Sequence, residues 1–170
     1  MATAVRYEPV RIEAFTPVIT VQPWGTETLI AATPEYTGKV LHYRAGKAGG
    51  LQYHVEKDET FYLHSGKATV VFDRGFGLNT VTLLAGDSFH VPAGAVHQFV
   101  AVTDCLVFEV STNVRDDRVR MESHYGVPSV QGAGPTTWDL SGDKPVRLRP
   151  PAPDAPDPGL EIGATFARKP

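Results

Sequence analysis

Four side chains that can bind a metal ion lie between residues 52 and 97. They are Gln52, His54, Glu59 and His97. Together they offer one amide oxygen, two imidazoles and one carboxylate, which are ligand types that proteins use for divalent metal ions. If the fold brings them together, they form a complete ligand set for one ion. If it does not, little else in the sequence indicates chemistry.

Strand alternation predicts that these residues converge. In an extended strand over residues 51–54, Gln52 and His54 point to the same face, so both can reach one ion. Glu59 opens the next predicted strand, and His97 follows a turn that contains proline and glycine. In a closed barrel the inward residues of neighbouring strands meet near the axis. The spacing therefore predicts one site inside a barrel.

The elements around these residues are short β-branched and aromatic runs separated by glycine-containing turns. The runs cover residues 39–44, 51–54, 60–63, 68–73, 79–84, 88–91, 97–102 and 106–111. Many short strands with regular turn signals indicate an all-β sandwich or barrel. No run of helical periodicity exceeds about three turns, although residues 115–126 suit a short helix or turn.

Composition divides the chain into three parts. We expect N-terminal strands and a lead-in over residues 1–38, the barrel over 39–126, and an extended or disordered C-terminal arm over 127–170. Seven of the 14 prolines lie from residue 145 onward. Each proline removes a backbone donor and fixes φ, so this stretch cannot form a helix or an interior strand. An arm that crosses onto a second subunit is an open alternative.

Net charge, cysteine count and the length of apolar runs argue against some partners and favour one compartment. The formal net charge is -3, without a long basic or acidic run, which argues against nucleic acid or a membrane surface as the main partner. Cys105 is the only cysteine, so no internal disulfide can form and a reducing cytoplasm is favoured. No segment approaches the roughly 20 apolar residues of a membrane span. A small molecule is the expected partner.

The two ligand-bearing segments resemble the two motifs of the cupin superfamily. The first motif, G-x5-H-x-H-x(3,4)-E-x6-G, is matched by Gly46, His54, Glu59 and Gly66, with Gln52 in place of the first histidine. The second motif, G-x5-P-x-G-x2-H-x3-N, is matched by Gly86, Pro92, Gly94 and His97, with Ala101 in place of the asparagine. The resemblance implies a double-stranded β-helix, or jelly-roll barrel, that binds one divalent ion and commonly forms a homodimer.

Gln52 indicates a particular group within the cupin superfamily. Gln52-x-His54-x4-Glu59 resembles the metal motif of cupin-type phosphomannose isomerases, including the isomerase domain attached to mannose-1-phosphate guanylyltransferases. Pro23-Trp24-Gly25 and Tyr125-Gly126 resemble the opening and closing segments of that domain, so the similarity spans about residues 23–126. We therefore expect a stand-alone cupin that isomerises or epimerises a sugar or sugar phosphate.

The implied reaction is an aldose–ketose isomerisation. The ion, zinc by expectation with manganese, iron, cobalt or nickel as alternatives, would polarise the sugar carbonyl and support an enediolate. A base would move a proton between C1 and C2. Alternation along residues 107–111 turns Glu109 inward, which makes it the candidate base. Lys67, Arg44 and Arg120 are candidates for binding the substrate phosphate.

Other interpretations stay open. His54, His97 and Glu59 alone form the two-histidine, one-carboxylate set of non-haem oxygenases, and a non-catalytic carbohydrate-binding or regulatory cupin is the third hypothesis. Gln52 favours redox-neutral chemistry. For Glu109 the alternative to the role of catalytic base is a structural one, in which its carboxylate pairs with Arg118 or Arg120.

Residues outside the ligand set are given structural roles. We predict that His42, His64, His90 and His124 are not ligands. The aromatic residues, among them Tyr62, are assigned mainly to the core. Cys105 is predicted to be buried, and Asp116 and Asp117 to form a solvated turn.

Overall fold

The structure is a computed structural model that describes residues 14–114 and 117–130; predictions for residues 1–13, Asp116 and 131–170 lie outside it. The described residues form strands and one short helix, which confirms the all-β class. The elements are β1 (Val18–Gln22), β2 (Gly25–Ala32), β3 (Tyr36–Tyr43), β4 (Gln52–His54), β5 (Glu59–Ser65), β6 (Lys67–Asp73), β7 (Leu78–Leu84), β8 (Ser88–Val91), β9 (His97–Ala101), β10 (Cys105–Thr112), β11 (Arg118–Arg120) and α1 (Glu122–Tyr125).

The strands form two antiparallel sheets. The larger sheet has the order β1-β2-β3-β10-β5-β8, and the smaller one has the order β11-β4-β9-β6-β7. Apolar side chains from both sheets form the main core, which includes Leu63 and Val107 from the larger sheet and Val70 from the smaller one. Burial of these side chains supplies most of the driving force for folding. The architecture is the predicted jelly roll.

Alternation along β10 shows how the sheets present residues to the interior. Cys105, Val107, Glu109 and Ser111 are buried, while the residues between them are partly or fully exposed. The carboxylate of Glu109 therefore faces inward, on the same side as the apolar core. The thiol of Cys105 is buried, as predicted, and burial raises its pKa.

A second apolar cluster covers the outer face of β4. Leu51 and Tyr53 pack there with Val96, Val119 and Met121. Because these side chains bury one face of β4, the opposite face is free to present its polar residues to the interior. The cluster thus fixes which side of β4 looks into the barrel.

Two predictions about individual residues are wrong. Tyr62, assigned to the core, is 40% exposed on β5, because it alternates with the inward residues Phe61 and Leu63. Asp117, assigned to a solvated turn, is 2% exposed. It is buried because its carboxylate accepts hydrogen bonds from groups about 60 residues earlier in the chain.

Strand β11 was not among the predicted strands. Its sequence, Arg-Val-Arg, is too short and too charged to indicate a strand on its own. It forms because Arg118–Arg120 pairs with Gln52–His54 of β4. No helix among the described residues has the length and apolar character needed to cross a membrane.

Candidate metal centre

Three of the four predicted ligands converge between the sheets. One ligand atom from each of His54, Glu59 and His97 lies within 4.8 Å of the other two. The histidines come from β4 and β9 of the smaller sheet, and Glu59 comes from β5 of the larger sheet. The site therefore depends on the packing of the two sheets, and the side chain of Glu59 is almost fully buried.

The hydrogen bonds of the two imidazoles define their tautomers. His54 Nδ1 lies 2.7 Å from Asp117 Oδ1, and His97 Nδ1 lies 3.0 Å from the carbonyl oxygen of Ala95. Both partners are acceptors, so each Nδ1 carries a proton and donates it. In the neutral ring each Nε2 then presents a lone pair, which is the form of histidine that binds metal ions.

The acceptor atoms of the cluster point at one another. Glu59 Oε1 lies 2.9 Å from His97 Nε2 and 3.9 Å from His54 Nε2. It is buried without a hydrogen-bond donor. Converging lone pairs in a buried place repel one another unless a cation lies between them. Two imidazole nitrogens and a carboxylate oxygen are a fitting donor set for a divalent metal ion.

The charge states of the cluster suit this use. Burial is the largest effect on His54 and lowers its pKa, so the ring is neutral near pH 7. Burial alone would raise the pKa of Glu59, but the positive charge of Lys57 against its Oε2 helps to hold that pKa below its usual range. A neutral histidine and an ionised carboxylate are the forms that bind a metal ion.

Lys57 is a buried lysine that sequence reasoning missed. Its ammonium group contacts Glu59 Oε2 and lies 2.8 Å from Glu109 Oε1. Burial alone would lower the pKa of Lys57, but the carboxylates of Glu109 and Glu59 raise it well above its ordinary value. A charge this deeply buried requires such partners. The sequence gives no periodic signal for it, because Lys57 lies in the turn between β4 and β5.

Glu109 lies beside the cluster. Its Oε1 accepts hydrogen bonds from Lys57 and, at 3.4 Å, from Ser111 Oγ, and it lies 3.6 Å from Lys39 Nζ. Arg120, which the sequence offered as a partner for Glu109, instead pairs with Glu122. Glu109 thus belongs to a buried group of charges that also includes Lys57 and Glu59.

A small cavity of about 120 Å³ opens next to these groups. Its size suits a compact ligand, since pockets for drug-sized molecules usually exceed about 300 Å³. Polar residues dominate the lining, and aromatic rings complete it. The polar residues include Glu27, Lys39, Gln52, Lys57, Glu109, Arg118 and Arg120, and the aromatic ones are Trp24, Tyr43, Phe61 and Phe99.

Residues 39–111 of the chain match the family described as the cupin domain. The chain carries a cupin domain. Three converging side chains, His54, Glu59 and His97, lie at the motif positions, and the cluster could hold a divalent metal ion. No curated protein sequence matches the chain significantly.

Solved structures share the fold of this cupin domain. The capsular polysaccharide assembling protein CapF from Staphylococcus aureus is 19% identical with a TM-score of 0.56, over 62% of this chain and 34% of CapF. KdgF from Halomonas sp. is 25% identical with a TM-score of 0.52, over 61% of this chain and 90% of KdgF. Bacillus subtilis oxalate decarboxylase is 14% identical with a TM-score of 0.60, over 76% of this chain and 42% of the enzyme. The chain thus spans about a third of CapF.

Gln52 occupies the position of the first motif histidine in this cupin domain. Its Nε2 lies 3.4 Å from His54 Nε2, and its strand partner across the sheet is His97. A half-turn of the amide exchanges its nitrogen and oxygen with almost no change in shape. Gln52 therefore lies at the edge of the metal cluster and can turn a carbonyl oxygen toward it.

The cupin domain brings only one of the three predicted phosphate-binding residues to the cavity. Arg120 lines it, whereas Arg44 lines a separate cleft. Arg44 directly follows the inward residue Tyr43, so alternation directs it away. Lys67 is exposed at the start of β6. Lys39, inward on β3, lines the cavity instead.

Proposed function

We propose that this cupin domain is a metal-dependent isomerase or epimerase of a small sugar or sugar phosphate. One observation carries the proposal: the buried carboxylate of Glu109 lines the same cavity as the cluster of His54, Glu59 and His97. Proton transfer at a carbon next to a carbonyl needs an acid–base group beside an electrophile. With an ion in the cluster, the cavity would offer both.

His54 Nε2, His97 Nε2 and Glu59 Oε1 would hold the ion, with Gln52 as the fourth ligand. Zinc is the metal that we expect, because imidazole nitrogens and a carboxylate oxygen suit it. When bound, a divalent ion polarises a substrate carbonyl and so acidifies the adjacent C–H bond.

Glu109 is our proposed base. It would take the proton from the substrate carbon and return it to the neighbouring carbon, which is the exchange that interconverts an aldose and a ketose. Lys57 and Lys39 lie on the Oε1 side of the carboxylate.

The cations that line the cavity favour an anionic substrate. Arg120 is held in place by Glu122, whose Oε2 accepts a hydrogen bond from Arg120 Nε at 3.1 Å. Arg118 and Lys39 line the same cavity. Guanidinium groups bind phosphate oxygens through paired hydrogen bonds. These three residues are therefore our proposed contacts to a substrate phosphate.

The motif around Gln52 supports redox-neutral chemistry, because it resembles that of cupin-type phosphomannose isomerases. Among the structural relatives, CapF is described as a capsular polysaccharide assembling protein. This description links that protein to sugars. That likeness supports the fold, and the residues of this chain support the reaction.

A mononuclear oxygenase is the second candidate. The observation that favours it is the convergence of two histidines and one carboxylate, His54, His97 and Glu59. If Gln52 is not a ligand, the remaining two histidines and one carboxylate match the ligand set of non-haem iron oxygenases.

Two measurements test the proposal separately. Elemental analysis of the purified protein should find about one divalent ion per chain, as expected for a single cluster. Proton NMR in deuterated water should then show exchange at C1 or C2 of mannose 6-phosphate or a related sugar. Glu109→Gln should keep the ion and lose the exchange.

If the ion binds but no sugar exchanges a proton with zinc, manganese, cobalt or iron present, the isomerase is excluded. Oxygen uptake by the iron-loaded protein would then support the second candidate. If the protein holds no ion, the metal site itself is excluded.

We also propose that the protein is a homodimer. Strand β1 lies at the edge of the larger sheet, and its apolar residues Ile19 and Val21 are 68% and 79% exposed. An apolar edge strand is a natural surface for pairing with a second chain.

A further inference from the structure

We propose that Lys57 restricts Glu59 to ligation through a single oxygen, and thereby keeps a coordination position of the metal ion open for substrate. Lys57 would be a positioning residue rather than a ligand. The inference rests on the metal-binding function proposed above, and it concerns a residue outside the ligand set.

The two oxygens of Glu59 have different environments. Oε1 faces His54 Nε2 and His97 Nε2 and has no hydrogen-bond donor. Oε2 is in contact with the ammonium group of Lys57. A carboxylate that binds a metal ion through both oxygens must turn both toward the ion. The contact with Lys57 opposes that rotation, because it would leave a buried ammonium group with one partner fewer.

Lys57 itself is held from two directions. Its backbone N–H donates to Asp117 Oδ2 at 2.8 Å, and its ammonium group lies 2.8 Å from Glu109 Oε1. The residue is only 7% exposed. The lysine therefore cannot leave Glu59 for solvent without breaking a buried ion pair with Glu109. The turn and the ion pair together hold the cation against Oε2.

This arrangement controls how much of the ion a substrate can reach. With Glu59 bound through Oε1 alone, His54, His97 and Glu59 fill three positions, and Gln52 would fill a fourth. A second oxygen from Glu59 would take one position more. Substrates that bind through two adjacent oxygens need two open positions, so an enzyme of this type gains from a carboxylate that is kept from closing on the ion.

The same lysine lowers the attraction of the site for cations. Its positive charge lies next to one of the ligands, so it repels a divalent ion. Lys57 would therefore lower the affinity of the site for the ion and at the same time keep a coordination position open. Removing the charge while keeping the length of the side chain should reverse both effects.

The test compares cobalt(II) and manganese(II) forms of the wild type and Lys57→Met. We expect the variant to bind cobalt about tenfold more tightly, because it removes a positive charge next to the ligand Glu59. Its visible absorption should weaken, as it does when cobalt gains a ligand. The manganese form should lose about one exchangeable water in proton relaxation measurements.

Lys39→Met is the matched control. It removes a cation 3.6 Å from Glu109 Oε1 and does not touch Glu59, so it should leave the cobalt spectrum unchanged. Lys57→Met leaves the buried carboxylates of Glu59 and Glu109 without their shared cation, so this variant is expected to be less stable than the wild type. Lys57→Met combined with Glu109→Gln reduces that excess charge and should show the same spectral change.

An unchanged cobalt spectrum in a folded Lys57→Met protein, or in the double variant, would overturn the inference. So would weaker binding with unchanged coordination, because that result describes a lysine that only orients Glu59. A wild-type protein that binds neither ion would instead refute the proposed metal function, and this outcome is visible before any variant is made.

Discussion

Asp117 Oδ1 lies 2.7 Å from His54 Nδ1, and the other oxygen of this carboxylate accepts the backbone N–H groups of Glu56 and Lys57. One buried aspartate thus fixes the tautomer of a ligand and the turn that carries the lysine next to Glu59. The hydrogen bonds that it accepts also hold the pKa of Asp117 below its usual range, although burial alone would raise it. Asp117 therefore positions both a residue of the candidate metal site, His54, and the buried cation Lys57.

Asp117→Asn should weaken metal binding by about 10- to 100-fold, the usual cost of losing a partner of a metal-binding histidine. The amide is a weaker acceptor for His54 Nδ1–H, and one end of it cannot accept the backbone N–H groups. Zinc titration by calorimetry measures the change. Asp58→Asn, which alters an exposed pair with His90, is the control and should bind zinc like the wild type. Equal affinities in both variants would contradict the role of Asp117.

His97→Ala should abolish stable ion uptake, because it removes one of only two imidazoles from the cluster. Elemental analysis after gel filtration measures bound zinc per chain. His90→Ala is the control, since its side chain is 57% exposed and pairs only with Asp58 among the described residues. Ion retention in His97→Ala equal to that in His90→Ala would show that the ion binds elsewhere.

The ligand cluster could be predicted from sequence because its signal is local. His54 and Glu59 belong to one strand–turn–strand unit, and His97 follows a recognisable turn. Strand alternation also predicted that Glu109 faces inward. Each of these inferences depends only on neighbouring residues and on period-two geometry.

The supporting residues could not be predicted, because their roles depend on contacts between distant parts of the chain. Asp117 meets His54 across 63 residues, and Lys57 meets Glu109 across 52. On sequence alone, Asp117 is assigned to a solvated turn because it lies among charged residues, and Lys57 is given no role. Likewise, charge alone made Arg44 and Arg120 equal candidates for the substrate, and only the direction of each strand separates them.

Gly50→Ala should destabilise the protein by about 1–3 kcal/mol, the usual cost of overpacking. A Cβ atom at Gly50 would overlap the guanidinium group of Arg120. The guanidinium would have to leave Glu122, whose Oε1 also accepts the backbone N–H of Leu51 at 3.1 Å. Urea unfolding measures the loss.

Gly49→Ala is the neighbouring control, because a Cβ atom there would meet Tyr43 Oη at an ordinary 3.4 Å. It should change the free energy of unfolding by no more than about 0.5 kcal/mol. If Gly50→Ala is as stable as Gly49→Ala, Arg120 is not fixed where the structure has it. Weaker binding of a phosphorylated sugar by Gly50→Ala would add support for Arg120 as a substrate contact.

Ile19→Lys should shift the protein from dimer to monomer if β1 forms the subunit contact. A charge on an edge strand opposes pairing with another strand. Light scattering during gel filtration measures the mass. Asn79→Lys, on an exposed position of β7 in the other sheet, is the control. A wild-type monomer, or an Ile19→Lys dimer, would exclude this contact.

Stability should fall in acid because of Asp73. Burial alone would raise the pKa of Asp73, but hydrogen bonds from Tyr125 Oη and from the N–H groups of Gly75, Gly77 and Phe76 lower it below the ordinary 3.8. A carboxyl whose folded pKa is depressed stabilises the protein fully above its unfolded pKa. That contribution is lost as the pH falls through the folded value.

Asp73→Asn should therefore be less stable than the wild type near pH 7. The difference between their free energies of unfolding should shrink as the pH falls below 3.8. Urea unfolding of both proteins across this range measures it. Tyr125→Phe removes only the bond to the C-terminal segment, so it separates that contact from the turn at residues 75–77. A constant difference between Asp73→Asn and the wild type would mean that the carboxylate charge contributes nothing, and that only the shape of the side chain holds the turn.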